Sequence, residues 1–391
     1  MQIIYKIMIY KSERKSFKVP KSSESRGQPI MLGFTMIIVA VALISAPISI
    51  ASAQSVGSEK KTLRIGYFPN ITHSQAVIGL NNGDYQNALG DNVTVETFRF
   101  NAGPSAIESL LADRIDATYI GPNPAINGYL LSGGEDVRVI SGASSGGASF
   151  VVRNDSGIEM VNDLGGKKFA SPQLGNTQDV ALRKYLIDNG FNTVENGGNV
   201  TVVAAKPADI ITLFLKKEID GAWVPEPLVA ILKEQGNGFI LVDERALWPP
   251  DGKFVTTNIL VRTDYLRDNP EIIKKLLEAH VDETLWINQK LSKTNDTKVD
   301  EKNIDELTLA FNEGLKKITG KVYPQGQLKD ALSRTEFTYD PLSTSLNKIA
   351  ADASDLGYIN LGSVNDINLE SIYDLDLLNE VLTTKGLNPV R

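Results

Sequence analysis

The chain has no cysteine among its 391 residues. That absence excludes disulfides, thiolate nucleophiles and cysteine-type zinc sites together. It also excludes a bacterial lipoprotein anchor, which needs a cysteine just after the apolar leader. Histidine is scarce as well. His73 and His280 are the only two, too few for a histidine-rich metal centre. Positive charge is in deficit, with 40 Lys and Arg against 47 Asp and Glu, and nucleic acid selects a basic face. After residue 53 no long apolar run recurs, so the body carries no further membrane span. What remains is ordinary globular material, 42% hydrophobic and 22% charged, long enough for two domains.

The first 53 residues are different. Lys6, Lys11, Arg14, Lys15, Lys18, Lys21 and Arg26 outnumber Glu13 and Glu24, and an apolar run from Met31 to Ile50 ends in Ala51-Ser52-Ala53. A basic segment, an apolar core and a small-x-small site describe a secretory signal peptide. An uncleaved membrane anchor is the alternative, and Pro47 with the Ala-x-Ala site favours cleavage. Either reading places the body outside the cytoplasm. Without this segment the chain keeps 33 basic and 45 acidic residues, a net charge of −12.

The body alternates strand and helix patterns, which predicts βαβ units and mainly parallel sheets. Strands are expected at Leu63–Tyr67, Val93–Phe100, Ala117–Ile120 and Val137–Ile140, with helices after Ser74, Gly103 and Asn123. A Gly/Ser-rich loop, Ser141–Gly147, leads to a strand at Ser149–Arg153 and a second lobe. There the theme repeats: strand Phe169–Ser171, helix Gln178–Asn189, strand Val200–Val203 and a helix after Pro207. Beyond Trp248–Gly252 come a strand at Asn258–Arg262, an amphipathic helix from Pro270, further helices to about Leu356 and a polar tail.

A weak internal repeat supports two lobes of similar build. Gly103-Pro104, Ile107, Leu110, Leu111, Ile115-Asp116-Ala117 and Pro122-Asn123-Pro124 are matched by Lys206-Pro207, Ile210, Leu213, Phe214, Ile219-Asp220-Gly221 and Pro225-Glu226-Pro227. The offset is 103 or 104 residues throughout.

In open α/β sheets ligands bind beyond the carboxyl ends of the strands, where helices begin. Five small-residue turns fall at such points: Pro69–His73, Ala102–Ser105 with Gly103, Gly121–Asn123, Ser141–Gly147 and Leu174–Gln178. Helix N-termini offer unpaired N–H groups and positive partial charge, so such turns can hold an anion without any arginine. Leu174–Gln178 is the strongest anion candidate, because it opens a helix and Asn176 and Thr177 add side-chain donors. It lacks the Gly-Lys-Ser/Thr ending of a nucleotide-binding loop. Glu226, in the rigid Trp223–Pro227 turn, could meet an amine or ring nitrogen, with Trp223 packing on the ligand; a solvated Glu beside a core Trp is the other reading. His73 could donate to an anion or serve structure alone. His280, Trp248, Tyr265 and Trp286 read as packing. No nucleophile elbow, metal-ligand spacing or paired-acid site is present, and no cofactor is called for.

Four segments carry a family resemblance: Leu63–Asn70, Phe100–Pro104 with its helix and Ile115-Asp116, Gly221–Pro227, and Val261–Leu266 followed by Asn269-Pro270-Glu271. Taken in order over about residues 62–350, they resemble the nitrate/sulfonate/taurine branch of importer-associated substrate-binding proteins, which includes receptors for thiamine pyrimidine precursors. The resemblance implies an α/β, two-lobed type II periplasmic-binding-protein fold with extra C-terminal helices. Lobe I would begin at 62–148, lobe II span 149–252, and 253–391 return to lobe I. It implies ligand contacts at Asn70, Gly121, Asn123, Ser144, Ser145, Gly175, Asn176, Thr177, Trp223 and Glu226, with Thr256 and Thr257 as additions. The implied role is an extracytoplasmic, monomeric receptor that closes its two lobes on a small sulfonate-, taurine- or nitrate-type ligand and docks on the permease of an ABC importer. Alternatives are a pyrimidine-precursor receptor, a stand-alone ligand sensor, or an enzyme on the same fold. An enzyme relative that makes the thiamine pyrimidine depends on a Cys-rich motif, which this chain lacks.

Overall fold

The computed structural model describes residues 60–294, 298–359 and 368–391. The expected signal peptide and its Ala51–Ala53 site lie outside these residues. The chain forms β1 (Lys61–Tyr67), α1 (Ser74–Asn82), α2 (Asp84–Leu89), β2 (Val93–Arg99), α3 (Gly103–Leu111), β3 (Ala117–Ile120), α4 (Pro122–Leu131) and β4 (Val137–Gly146). It then enters a second sheet with β5 (Ala148–Arg153), β6 (Lys168–Pro172), α5 (Thr177–Asp188), β7 (Thr201–Ala205), α6 (Pro207–Leu215), β8 (Gly221–Pro225), α7 (Leu228–Glu234) and β9 (Gly238–Asp243). It returns through β10 (Val255–Arg262), α8 (Thr263–Asp268) and the long α9 (Pro270–Leu291). A short pair, β11 (Lys293–Thr294) with β12 (Lys298–Val299), precedes α10 (Glu301–Thr319), α11 (Gln325–Leu332), β13 (Thr335–Phe337), α12 (Ser343–Asp355) and α13 (Asp376–Thr384).

The two larger sheets have the orders β13-β4-β10-β3-β1-β2 and β7-β6-β8-β5-β9. Apart from the edge strand β13, these are one topology used twice. In each, three strands pair in parallel and the fourth is reached across an antiparallel strand delivered from the other lobe, β10 in the first and β5 in the second. The ladders are therefore mixed, although four strands of each sheet run the same way. This is the two-lobed type II periplasmic-binding-protein fold.

The repeat read in the sequence is a repeat of register. Ile65 pairs with Ala117 in lobe I, and Phe169 with Gly221, each 104 residues on, in lobe II. The aspartate before the third strand does the same work in both. Asp116 accepts from the Arg64 amide (2.8 Å), Asp220 from the Lys168 amide (2.9 Å). An arginine at the end of each antiparallel strand faces the same aspartate: the Arg262 amide donates to Asp116 C=O (3.0 Å), the Arg153 amide to Asp220 C=O (2.9 Å). A carboxylate at this position gives the backbone N–H a partner where strand and turn meet.

Apolar side chains coat both faces of each sheet. Lobe I is centred on Leu63, Ile65, Tyr119, Ile273 and Phe311 on one face, and on Ile107, Leu110, Ile126 and Leu260 on the other. Lobe II is centred on Phe150, Phe169 and Trp223, and on Ile210, Phe214 and Val224.

Two sequence expectations change. Ser141–Gly147 is not a loop: β4 runs to Gly146 and pairs with β10 and β13. Small residues serve here because backbone packs on the strand; a Cβ on Gly142 would stand 2.0 Å from the Asp340 carbonyl oxygen. The C-terminal stretch is not simply a polar tail, because α13 buries Leu378, Val381 and Leu382 in the lobe I core.

Candidate functional site

The cleft between the lobes is lined at the carboxyl ends of the parallel strands by Phe68, Asn101, Ala102 and Gly121 from lobe I, and by Pro172, Pro207 and Pro225 from lobe II. Phe68 and Pro172 are 104 residues apart, as are Gly121 and Pro225, so the register repeat puts like turns face to face. Asn70, Thr72, His73, Asn176, Thr177, Gln178, Thr256 and Thr257 complete the wall. The free space is only about 20 Å³, room for an ordered water. The lobes are thus drawn together around it.

Five helical segments begin at this cleft. The 3-10 turn Ile71–His73 leads into α1, α3 starts after Ala102, α4 after Gly121, α5 after Asn176 and α6 after Lys206. Proline at the first turn of α3, α4 and α6 fixes the entry angle of each. In α5 the first bonded amides are Asp179 and Val180, both to Asn176 C=O at 3.0 Å. The Thr177 and Gln178 amides precede them, the positions where a helix leaves N–H groups for a ligand.

No Asp, Glu, Lys or Arg is among the lining residues. His73 does not supply charge either, because burial pushes its pKa down to about 3. Its Nδ1 accepts from the Phe68 amide at 3.4 Å, which leaves the proton on Nε2. The ring stacks on Phe68, centroids 4.4 Å apart. The positive character of the site comes from peptide dipoles and neutral donors alone.

The α5 turn is set by Asp179, which the sequence reading missed. Its carboxylate accepts from the Gly175 amide (3.0 Å), Ser171 Oγ (2.6 Å), Tyr358 Oη (2.9 Å) and Arg183 Nε (3.2 Å). Tyr358 follows α12, so this bond also ties the lobes. An acidic residue in the first turn of a helix was the available signal; its partners were not readable. Thr177 Oγ1 is buried without a hydrogen-bond partner. It faces Gly121 across the cleft, where a Cβ would stand 2.4 Å from it. Asn123 Nδ2, in the first turn of α4, is likewise unpartnered.

Of the residues singled out from sequence, Asn70, His73, Gly121, Asn176, Thr177, Thr256 and Thr257 line the cleft. Gly103 sits one layer back, its Cα side against Pro124 and Asn176. Gly175, at φ +74°, shapes the turn. Ser144 and Ser145 lie within β4, where Ser145 Oγ accepts from the Phe254 amide at 3.2 Å.

Trp223 and Glu226 do not reach the cleft wall. Trp223 is fully buried in lobe II, stacked on Phe150, with Nε1 donating to Glu244 at 2.8 Å. Glu226, also fully buried, accepts from Arg334 Nε at 2.6 Å and the Ala230 amide at 3.1 Å. Arg334 in turn holds Asp330 (2.6 and 2.7 Å), and Lys233 joins Asp330 at 2.9 Å. Lobe II supplies Glu226 and Lys233, and the segment that adds β13 to the lobe I sheet supplies Asp330 and Arg334. This is an ion network between the lobes. The sequence placed Glu226 in a rigid turn; its partner, 108 residues away, could not be read there.

Two mixed sheets of repeated topology, meeting at helix N-termini around an uncharged cleft, define a two-lobed solute-binding protein. The chain belongs to the NMT1-like family, whose model matches residues 56–299. A Bacillus subtilis protein named for aliphatic-sulfonate binding is 23% identical over 276 residues, 69% of this chain and 79% of that one. The taurine-binding periplasmic protein of Escherichia coli is 26% identical over 195 residues, 50% of this chain and 58% of that one. Among solved structures, the alkanesulfonate-binding protein SsuA of Xanthomonas axonopodis pv. citri, bound to MOPS, superposes with a TM-score of 0.61. It is 19% identical and covers 77% of this chain and 93% of its own, a likeness of fold. The resemblance read from the four sequence segments is borne out.

Proposed function

We propose that the chain is the extracytoplasmic receptor of an ABC importer and that its cleft takes the oxyanion head of a small organic sulfonate. The observation that carries this is the convergence of five helical N-termini on a wall with no charged side chain. Such a wall favours an anion that brings its own charge, and it offers no carboxylate to a cation. The relatives named for sulfonate and taurine binding support the ligand class. Asn70, His73, Gly121, Asn176, Thr177 and Thr256 are the proposed contacts. Ligand would bridge the lobes and stabilise the closed form, which then docks on a permease. The role in this reading is binding, in keeping with the relatives named for sulfonate and taurine binding.

The amine-bearing reading loses its anchor, because Glu226 is engaged by Arg334. A thermal-shift and calorimetric panel of alkanesulfonates, taurine, nitrate and aminopyrimidines tests the assignment. Alkanesulfonates are expected to raise the melting temperature with rising concentration. Stabilisation by aminopyrimidines alone would overturn it.

A further inference from the structure

Away from the cleft, lobe I carries a groove of about 460 Å³ where α1 ends, between α2, α9 and α10. Its apolar lining includes Ile78, Trp286 and Ala310, and its polar side chains are Asn82, Asn87 and three carboxylates, Asp84, Asp282 and Glu283. One of these is unusual. Glu283 is only 5% exposed and its Oε1 has no hydrogen-bond partner, although it lines an open groove. A buried carboxyl oxygen without a donor is costly, so the arrangement is complete only when something donates to it. Gly79 backs the site: a Cβ there would stand 2.4 Å from the Tyr85 ring and 3.0 Å from Glu283 Oε2.

The geometry points to a second binding site, in which this groove holds a small alkylammonium ion, the ammonium donating to Glu283 and Asp84 and its alkyl part lying against Trp286. A carboxylate pair beside an indole suits such a cation, which needs opposite charge, donor-accepting oxygens and an aromatic or apolar wall. A volume of this size is that of a small-molecule pocket. Asp282 is already engaged by Lys385 at 2.6 Å, and Asp84 Oδ2 accepts from Asn82 Nδ2 at 2.6 Å, so the unpartnered acceptor in the groove is Glu283 Oε1. Burial and the neighbouring Asp84 push the Glu283 pKa up to about 8. The titratable and charged groups around Glu283 are Asp84 and Tyr85 of α2, Asp282 of α9 with Lys385 beyond α13, and Tyr119 of β3. Lys290 of α9 lies over the Trp286 ring, 5.6 Å from its centroid. An arriving ammonium displaces the proton that Glu283 holds at neutral pH, so binding at pH 7 releases a proton to buffer.

Isothermal titration of the full chain with n-butylammonium chloride, against sodium chloride as control, tests the site. Saturable binding is expected, with heats that change between buffers of different ionisation enthalpy and a shift in tryptophan emission. Glu283→Gln, which copies the neutral form already present, should fold normally and weaken binding by about tenfold or more. Trp286→Leu should weaken it independently, and neither variant should change alkanesulfonate affinity. Absence of saturable binding, or binding that both variants leave intact, overturns the proposal. So does binding of an Nα-acetyl-lysine peptide without binding of butylammonium, which would make the groove a protein-docking surface.

Discussion

Replacing Thr177 by valine exchanges one oxygen for a methyl group of nearly the same size, so the change tests a single hydrogen bond. In the free protein Thr177 Oγ1 is buried, 5% of the residue being exposed, and makes no bond. An unpaired buried hydroxyl costs about 1–3 kcal/mol. Valine removes that penalty, so the unliganded variant should be as stable as the parent or more stable by about 1 kcal/mol. The bound state responds in the opposite sense. A hydrogen bond to a charged acceptor contributes about 1.5–3 kcal/mol, so alkanesulfonate affinity should fall by about 10- to 150-fold. Denaturant unfolding without ligand and calorimetry with it measure the two terms separately. The pair of signs is the test. Unchanged affinity would remove Thr177 from the binding machinery, and a loss of apo stability above about 1 kcal/mol would show that its hydroxyl is already satisfied.

Gly121→Ala leaves a permitted backbone, φ −70°, but puts a Cβ 2.4 Å from Thr177 Oγ1. Closure is obstructed at a cost of about 1–3 kcal/mol; unchanged ligand affinity, or no increase in the liganded radius of gyration by small-angle scattering, would refute this. Glu226→Gln weakens the interlobe network and should lower the melting temperature, while the ratio of taurine to ethanesulfonate affinity stays within about twofold. A selective loss of taurine would restore Glu226 as a ligand contact.

The pH dependence of stability has two opposed parts. His73 and His280, held near 3 and 4 by burial, contribute stability that is present above about 6.5 and lost as pH falls through those values. Glu244 and Glu283, raised by burial to about 7 and 8, contribute stability that is full below about 4.5 and lost as pH rises through them. Denaturant unfolding should therefore show a plateau between about pH 4.5 and 6.5 and a decline on either side, each group contributing about 1.4 kcal/mol per pH unit. Glu244→Gln and Glu283→Gln together should flatten the alkaline limb; an unchanged limb would refute the assignment. Ligand affinity should not vary with His73 ionisation between pH 5 and 8, and a rise of about tenfold towards pH 5 would mean a cationic imidazole.

The sequence by itself determined the elements, the repeat and the turns that face the cleft. Strand and helix periods are local, and the 104-residue offset recurs because Asp116 and Asp220 must each satisfy the backbone at the same point of the same topology. Pro and Gly at helix starts mark the cleft for the same local reason, which is why Asn70, Gly121, Asn176 and Thr177 were legible. The tertiary structure decided which side chains remain free. Glu226 looked like a ligand contact until Arg334 met it, and Ser144 and Ser145 looked like a loop until β10 and β13 paired with their strand. Asp179 emerged as the organiser of the anion turn only when Ser171, Gly175 and Tyr358 converged on its carboxylate. A residue's type and neighbours set what it can bond to. Which partner arrives depends on contacts between segments 100 or more residues apart, and no local pattern encodes those.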